Sequence, residues 1–165
     1  MSQLFSPFAL GNVALSNRIV ISPMCQYSAE HGQATDWHLI HLGQLALSGA
    51  GLLFIEATAV TPEGRISPGD LGLWSDQTEA ALARVIRSIH QYSSMPIAIQ
   101  LAHAGRKAST QAPWEGGRSI PPARGGWQTV APSPLPYDEN DTLPRELEED
   151  ELQRIRNDFV TATQR

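Results

Sequence analysis

Cysteine is almost missing from this sequence. Cys25 is the single one among 165 residues, so no intramolecular disulfide framework is available and a reducing, cytoplasmic setting is expected. Long hydrophobic runs are missing too. No apolar stretch approaches the ~20 residues a membrane span needs, and the opening MSQLFSPFAL lacks the basic and apolar regions of a signal peptide. Positive charge is in short supply. Twelve Lys and Arg against 17 Asp and Glu leave a net charge of −5, which argues against a nucleic-acid partner, because phosphate neutralisation needs clustered cations. A metal centre is not expected either. Cys25 has no second thiol, and the i, i+3 pair His38 and His41 lacks both an intervening Glu and an obvious third ligand; packed or capping imidazoles are the plainer reading. A dinucleotide fingerprint is absent as well. The glycines of LSGAGLLFIE precede a strand, whereas the fingerprint places them after a strand, opening a helix.

What is present reads as one globular domain with a real core, at 41% hydrophobic and 18% charged residues. Residues 18–24 are β-branched and apolar and stop at Pro23, as a buried strand would. Asp36 opens a helical stretch in which Trp37, Ile40, His41, Gln44 and Leu45 share a face, ended by Gly49 and Gly51. A second strand follows at 52–60, then a helix capped at Ser75-Asp76 and running to about Ser93, then a third strand from Pro96, PIAIQLA. Near-continuous apolar strands alternating with helices imply three βα units and a parallel sheet covered on both faces. Residues 103–147, rich in Gly, Pro and Trp, break that rhythm. They are too long for an ordinary connection, and Trp114, Trp127, Tyr137 and the preceding Trp74 favour packing over disorder. The last stretch, EEDELQRIRNDFVTATQR, begins with acids that suit a helix N-terminus.

Several residues invite chemistry. Cys25 lies just past the C-terminal end of a strand, where α/β folds build sites, yet no histidine is paired with it by spacing, as a nucleophile would require. Gln100, late in the third strand, is read as a buried amide that needs partners, and His103, Arg106 and Lys107 follow at once; they fit either an anion site or a solvated basic loop. Glu56 interrupts an apolar strand, as a catalytic carboxylate or as an ion-paired structural residue. Ala57 beside it is small enough to let a flat ligand approach the backbone.

Together LSNRIVISPMCQYSAEHGQ, EATAVTPEGRISPGDLGLWSD and IQLAHAGRKAS resemble the old yellow enzyme family, specifically its xenobiotic-reductase-like subgroup with a cysteine near the flavin. The resemblance implies a (β/α)8 barrel that binds FMN at the C-terminal ends of its strands. It also implies hydride transfer from NADPH or NADH through the flavin to an activated alkene such as an α,β-unsaturated carbonyl. By motif, Ser22, Pro23, Met24 and Cys25 would line the flavin, Ala57 would touch it, and Gln100 would bond its pyrimidine edge. Tyr27 and Ile66 would border the substrate, with Tyr27 and Cys25 as the catalytic pair and no metal involved. A polarisable thiol against the isoalloxazine suits a redox-tuning role, and a side-chain amide matches the alternating donors and acceptors of a pyrimidine edge.

A complete barrel of this kind has eight βα units and about 250 residues; three are legible here. The expectation is therefore the N-terminal part of one FMN-binding barrel domain, residues 1–165. The flavin phosphate site and a substrate-anchoring His pair would lie on later strands, and the complete protein would be a homo-oligomer. FMN binding by the chain alone would be weak or absent. The alternative is a non-catalytic barrel fragment that self-associates or pairs with a complementary chain.

Overall fold

The apolar run LLFIEATA builds the central strand of the molecule, β4 (Leu52–Ala59). In the computed structural model, which describes residues 2–165, parallel neighbours flank it. On one side Val20 and Ile21 of β3 (Val20–Ile21) align with Leu52 and Leu53, and β5 (Leu71–Gly72) aligns with Thr58 and Ala59. On the other side β6 (Ile97–Ala102) pairs along its whole length. Two of the crossovers between parallel strands run through helices: α1 (Asp36–Ala46) joins β3 to β4, and α2 (Asp76–His90) leads from β5 into β6; the connection from β4 to β5 carries only the 3-10 turn Pro62–Gly64. α3 (Glu149–Gln164) closes the described chain.

The helix starts follow from local chemistry. Ser75 and Thr78 cap α2 reciprocally: the Ser75 Oγ accepts from the Thr78 N–H at 3.3 Å, and the Thr78 Oγ1 accepts from the Ser75 N–H at 3.1 Å. Acids in the first turn of α2 and Arg87 and His90 in the last complement its dipole. Ahead of α3, the Arg145 guanidinium donates to both carboxylate oxygens of Glu151, each at 2.6 Å.

The core lies between the sheet and α1 and α2, with Leu42, Leu53, Ile55, Leu82, Val85 and Ile89 at its centre. Leu53 and Val85 are fully enclosed; burying each stabilises the fold by roughly 1.5–3 kcal/mol. These helices cover one face of the sheet only, which corrects the expectation of a sheet covered on both. Strand alternation puts Ile97, Ile99 and Leu101 on the helix side. Ala98, Gln100 and Ala102 therefore point to the other face, as the interior face of a barrel unit would.

Two further expectations change, and one element is new. The strand read at 18–24 shrinks to Val20–Ile21. Its entry is set by Asn17, whose side chain donates to the Gly49 carbonyl at 2.8 Å and accepts from the Ile19 N–H at 3.0 Å; Pro23 removes a ladder donor just beyond its end. The inward face of α1 is His38, Leu42 and Ala46, whereas Trp37 and Ile40 are exposed. That stripe was hidden because its first member is a histidine, a residue that counts as polar until both ring nitrogens are known to be satisfied. An antiparallel hairpin, β1 (Phe8–Leu10) and β2 (Val13–Leu15), precedes the barrel-like unit and was not read from the sequence. Its turn uses Gly11 at φ +57°.

The long segment 103–147 is built from three single 3-10 turns and a two-residue parallel pairing of β7 (Val130–Ala131) with β8 (Arg145–Glu146). Its aromatic anchor is Trp127, whose Nε1–H donates to the Glu63 carbonyl at 2.9 Å. The Arg65 guanidinium lies 5.0 Å from the Trp127 ring and 5.5 Å from Trp74, tying the segment to the loop after β4. Trp114 and Tyr137 stay largely exposed.

Candidate active site

The C-terminal ends of β3, β4 and β6 bring the chemistry together. Past Ile21 the chain leaves the sheet in an extended path in which Ser22 and Met24 are exposed and Pro23, Cys25 and Tyr27 are partly buried. Two anchors hold this path. The Gln26 N–H donates to the Glu56 carboxylate, and Gly69 packs its backbone directly against Tyr27, where an added Cβ would meet the Tyr27 carbonyl oxygen at 2.5 Å. Between them Tyr27 takes φ +53°, in the left-handed region that a non-glycine residue seldom adopts. Its ring meets Trp114 edge-on, centroids 5.2 Å apart.

Glu56 owes its direction to an irregularity in the ladder. The register steps from Ile55↔Ile99 to Ala57↔Gln100, leaving Glu56 as the extra residue of a β-bulge. The bulge puts Glu56 on the same side as Ile55, toward α1, where its Oε1 lies 3.0 Å from the His38 Nε2. Both side chains are nearly fully enclosed. Of the two readings of Glu56 in the sequence, the paired structural one describes this arrangement. His38 also caps its helix, its Nδ1 accepting from the Thr35 N–H at 3.0 Å. His41 points elsewhere and stacks on Trp37, so the two imidazoles do not converge. Among the described residues, no group of three or more His, Cys, Asp or Glu is arranged to hold a metal ion.

The bulge also re-aims Ala57 to the open face of the sheet, where it is the register partner of Gln100. Against the expectation of a buried amide, Gln100 is exposed, because the face it points to is not covered by the helices, and among the described residues its side-chain amide has no hydrogen-bond partner. Small residues Ala57, Ala98 and Ala102 surround it. A flat bed of this kind with one free amide donor and acceptor fits a planar heteroaromatic ring such as a flavin.

The electrostatics at this end are acidic and partly desolvated. Burial, then Asp70 and Glu56, push the Cys25 thiol up to about 11, so it is a thiol and not a thiolate at neutral pH. Burial, then Cys25, Asp70 and Glu56, also raise Tyr27 above the ordinary phenol value, so its O–H remains a donor. Asp70 itself is held up by burial while it accepts from the Ser67 hydroxyl at 2.7 Å and the Ile66 N–H at 2.9 Å. Asp70 and Gly69 are the site-shaping residues that the sequence reading missed. The short-range pattern Ser67-x-x-Asp70, a local side-chain turn, was the available signal for Asp70.

Ile66 borders a cavity of about 190 Å3 with Arg106, Lys107, Tyr137 and Asp141. Of the basic residues after Gln100, Arg106 and Lys107 share this cavity and His103 does not. Arg106 donates to Ser133 at 2.9 Å, Lys107 lies over the Tyr137 ring at 4.3 Å, and His103 turns its ring against Gly64. Burial holds His103 below the usual imidazole value. A larger apolar cavity, about 350 Å3, lies away from this chemistry, on the helix side of β6 between Leu82, Ile86, Ile99 and Ala162.

Comparison with known proteins identifies the family of the chain. Residues 3–165 match the model of the NADH:flavin oxidoreductase / NADH oxidase family. An NADPH dehydrogenase of Listeria monocytogenes serotype 4a is 44% identical over 167 residues, covering 100% of this chain and 45% of its own length. An NADH:flavin oxidoreductase of Gibberella zeae is 40% identical, covering 99% of this chain and 40% of its own. The solved old yellow enzyme homologue from Zymomonas mobilis superposes with a TM-score of 0.79 at 29% identity, over 98% of this chain and 44% of that one. A morphinone reductase in complex with tetrahydroNAD gives 0.79 at 30% identity, over 99% and 46%. The chain thus spans less than half the length of the relatives it matches. Among the described residues no helix is long and apolar enough to cross a membrane.

Proposed function

Because the chain belongs to the NADH:flavin oxidoreductase / NADH oxidase family, we propose that its open sheet face is the strand-end wall of an FMN site in an NAD(P)H-dependent oxidoreductase that reduces activated C=C bonds. When bound there, FMN supplies the two-electron chemistry between nicotinamide and substrate. The residues of this chain bind and orient. Gln100 offers its amide to the pyrimidine edge, Ala57 admits the ring close to the backbone, and Ser22, Pro23, Met24 and Cys25 line its border. The protonated thiol of Cys25 presents a neutral, polarisable S–H to the ring without competing as a nucleophile. The protonated phenol of Tyr27 donates a hydrogen bond to a carbonyl oxygen of the substrate, an α,β-unsaturated carbonyl compound, and Ile66 borders that substrate.

The observation that carries this reading is the register pairing of Ala57 with Gln100, which sets a small residue beside an amide that has no partner among the described residues, on the face that Cys25 adjoins. Titration of FMN with the purified chain, followed by flavin fluorescence, tests it. Weak quenching that Gln100→Ala reduces at least several-fold is expected; quenching indifferent to Gln100→Ala contradicts the reading. A second reading, a fragment that works only when another chain or a second copy covers it, is favoured by β6. Among the described residues that strand pairs on one edge only, and open edges invite association. A monomer by size-exclusion chromatography that binds FMN tightly and oxidises NADPH argues against it.

A further inference from the structure

The carboxylate of Glu56 faces two N–H donors. One is the backbone N–H of Gln26, between Cys25 and Tyr27. The other is His38. Because the His38 Nδ1 accepts from the Thr35 N–H at 3.0 Å, the ring proton is on Nε2 and donates to the Glu56 Oε1 at 3.0 Å. The chain of contacts closes on itself: the Thr35 hydroxyl donates to the Ser28 carbonyl at 3.0 Å, on the far side of Tyr27. Residues 26 and 28 are thus tied, through Glu56, His38 and Thr35, to β4 and to the first turn of α1, and Tyr27 hangs between them in its left-handed conformation.

From this geometry we propose that Glu56 and His38 are positioning residues that fix the Cys25–Tyr27 turn against the cofactor and substrate face, acting through the Gln26 backbone. Only a carboxylate fits between two donors. The amide of a Gln at position 56 would always turn its NH2 toward one of them, and an unmatched buried donor costs about 1–3 kcal/mol. The bulge explains why the residue reaches the turn at all, since without it position 56 would face the open side of the sheet. A catalytic role for Glu56 is not needed, because both of its oxygens are already engaged and its side chain is enclosed. What the turn is held for rests on the flavin reading above; that it is held does not.

The test uses the full chain without any flavin and so stands apart from that reading. The single cysteine makes iodoacetamide alkylation a report on Cys25 alone. The charged and titratable groups facing the thiol are Glu56 from β4, Asp70 from the following loop and Tyr27 from its own turn, with His38 and His41 beyond Glu56 on α1. For Glu56→Gln, hydrogen exchange at the Gln26 amide is expected to accelerate roughly tenfold to a hundredfold. In the same variant the pH midpoint of Cys25 alkylation falls, because a carboxylate that opposed the thiolate is gone. For His38→Gln, Gln26 exchange also accelerates, but the midpoint does not fall, because the charge remains. This opposed pattern, with the β4 amides still protected, is one that general loosening cannot produce. Gln26 exchanging at the wild-type rate in Glu56→Gln overturns the proposal. So does uniform acceleration along the chain in both variants. Should Glu56→Gln alone lose β4 protection, His38→Gln decides by the same criteria.

Discussion

β4 and β6 lie side by side in one parallel ladder, yet they are built to different standards. β4 has neighbours on both edges, and Leu53, Ile55, Thr58 and Ala59 are almost wholly enclosed. β6 has a neighbour on one edge among the described residues, and no residue of it is fully buried. The difference reaches the candidate site. Everything on the β3–β4 side is held from behind: Cys25 and Tyr27 by Glu56, His38 and Gly69. Gln100, on the β6 side, is held by its strand alone. A cofactor wall can therefore be rigid at its thiol edge and open at its amide edge, with rigidity decided by how many elements stand behind each strand.

The same truncation on the two strands gives the sharpest contrast. Leu53→Ala on β4 is expected to cost about 3 kcal/mol, in the range for a fully buried leucine. Leu101→Ala on β6 should cost about 1 kcal/mol, and equal costs in urea unfolding would break the comparison. Gly69→Ala comes next, because the new Cβ meets the Tyr27 backbone; an overpacking penalty of about 1–3 kcal/mol is expected, together with a changed Cys25 alkylation rate.

A smaller effect belongs to pH. His103, just past the end of β6, is held neutral by burial, and its Nε2 is enclosed without a partner among the described residues. Its folded-state pKa lies below 6.5, so the unfolded chain takes up its proton first as pH falls. Stability should be full above 6.5 and decline below it, toward the depressed folded value. His41, also lowered by burial, adds in the same direction. Melting temperature measured against pH should show this decline, and His103→Gln should flatten it. Smallest of all is Gln100→Ala, which should change unfolding free energy by no more than about 0.5 kcal/mol. A larger loss would mean that the amide is part of the scaffold and not free for a ligand.

Much of this was legible in the sequence, and the reasons are specific. β4 was readable because a strand with neighbours on both edges and helices packed behind it is mostly apolar, and Ser75 announced α2 because a serine hydroxyl can accept from the first free N–H groups of a helix. Ala57 and Gln100 were separately suspicious. That they are partners in register depends on a bulge, and one extra residue in a ladder leaves no mark in composition. The true face of α1 was concealed by His38, whose burial depends on the local Thr35 N–H and on Glu56, 18 residues away in sequence. Gly69 was invisible for a related reason: its neighbour is the Tyr27 backbone, and no local pattern encodes that approach.

The central claim is that the open face beside Cys25 receives a flavin. Alkylation of the single cysteine, timed in the absence and presence of FMN, reads that face directly and tolerates weak binding because FMN can be raised to millimolar concentration. FMN is expected to slow alkylation of the full chain, and Gln100→Ala to abolish most of the protection. An alkylation rate that millimolar FMN leaves unchanged would contradict that claim.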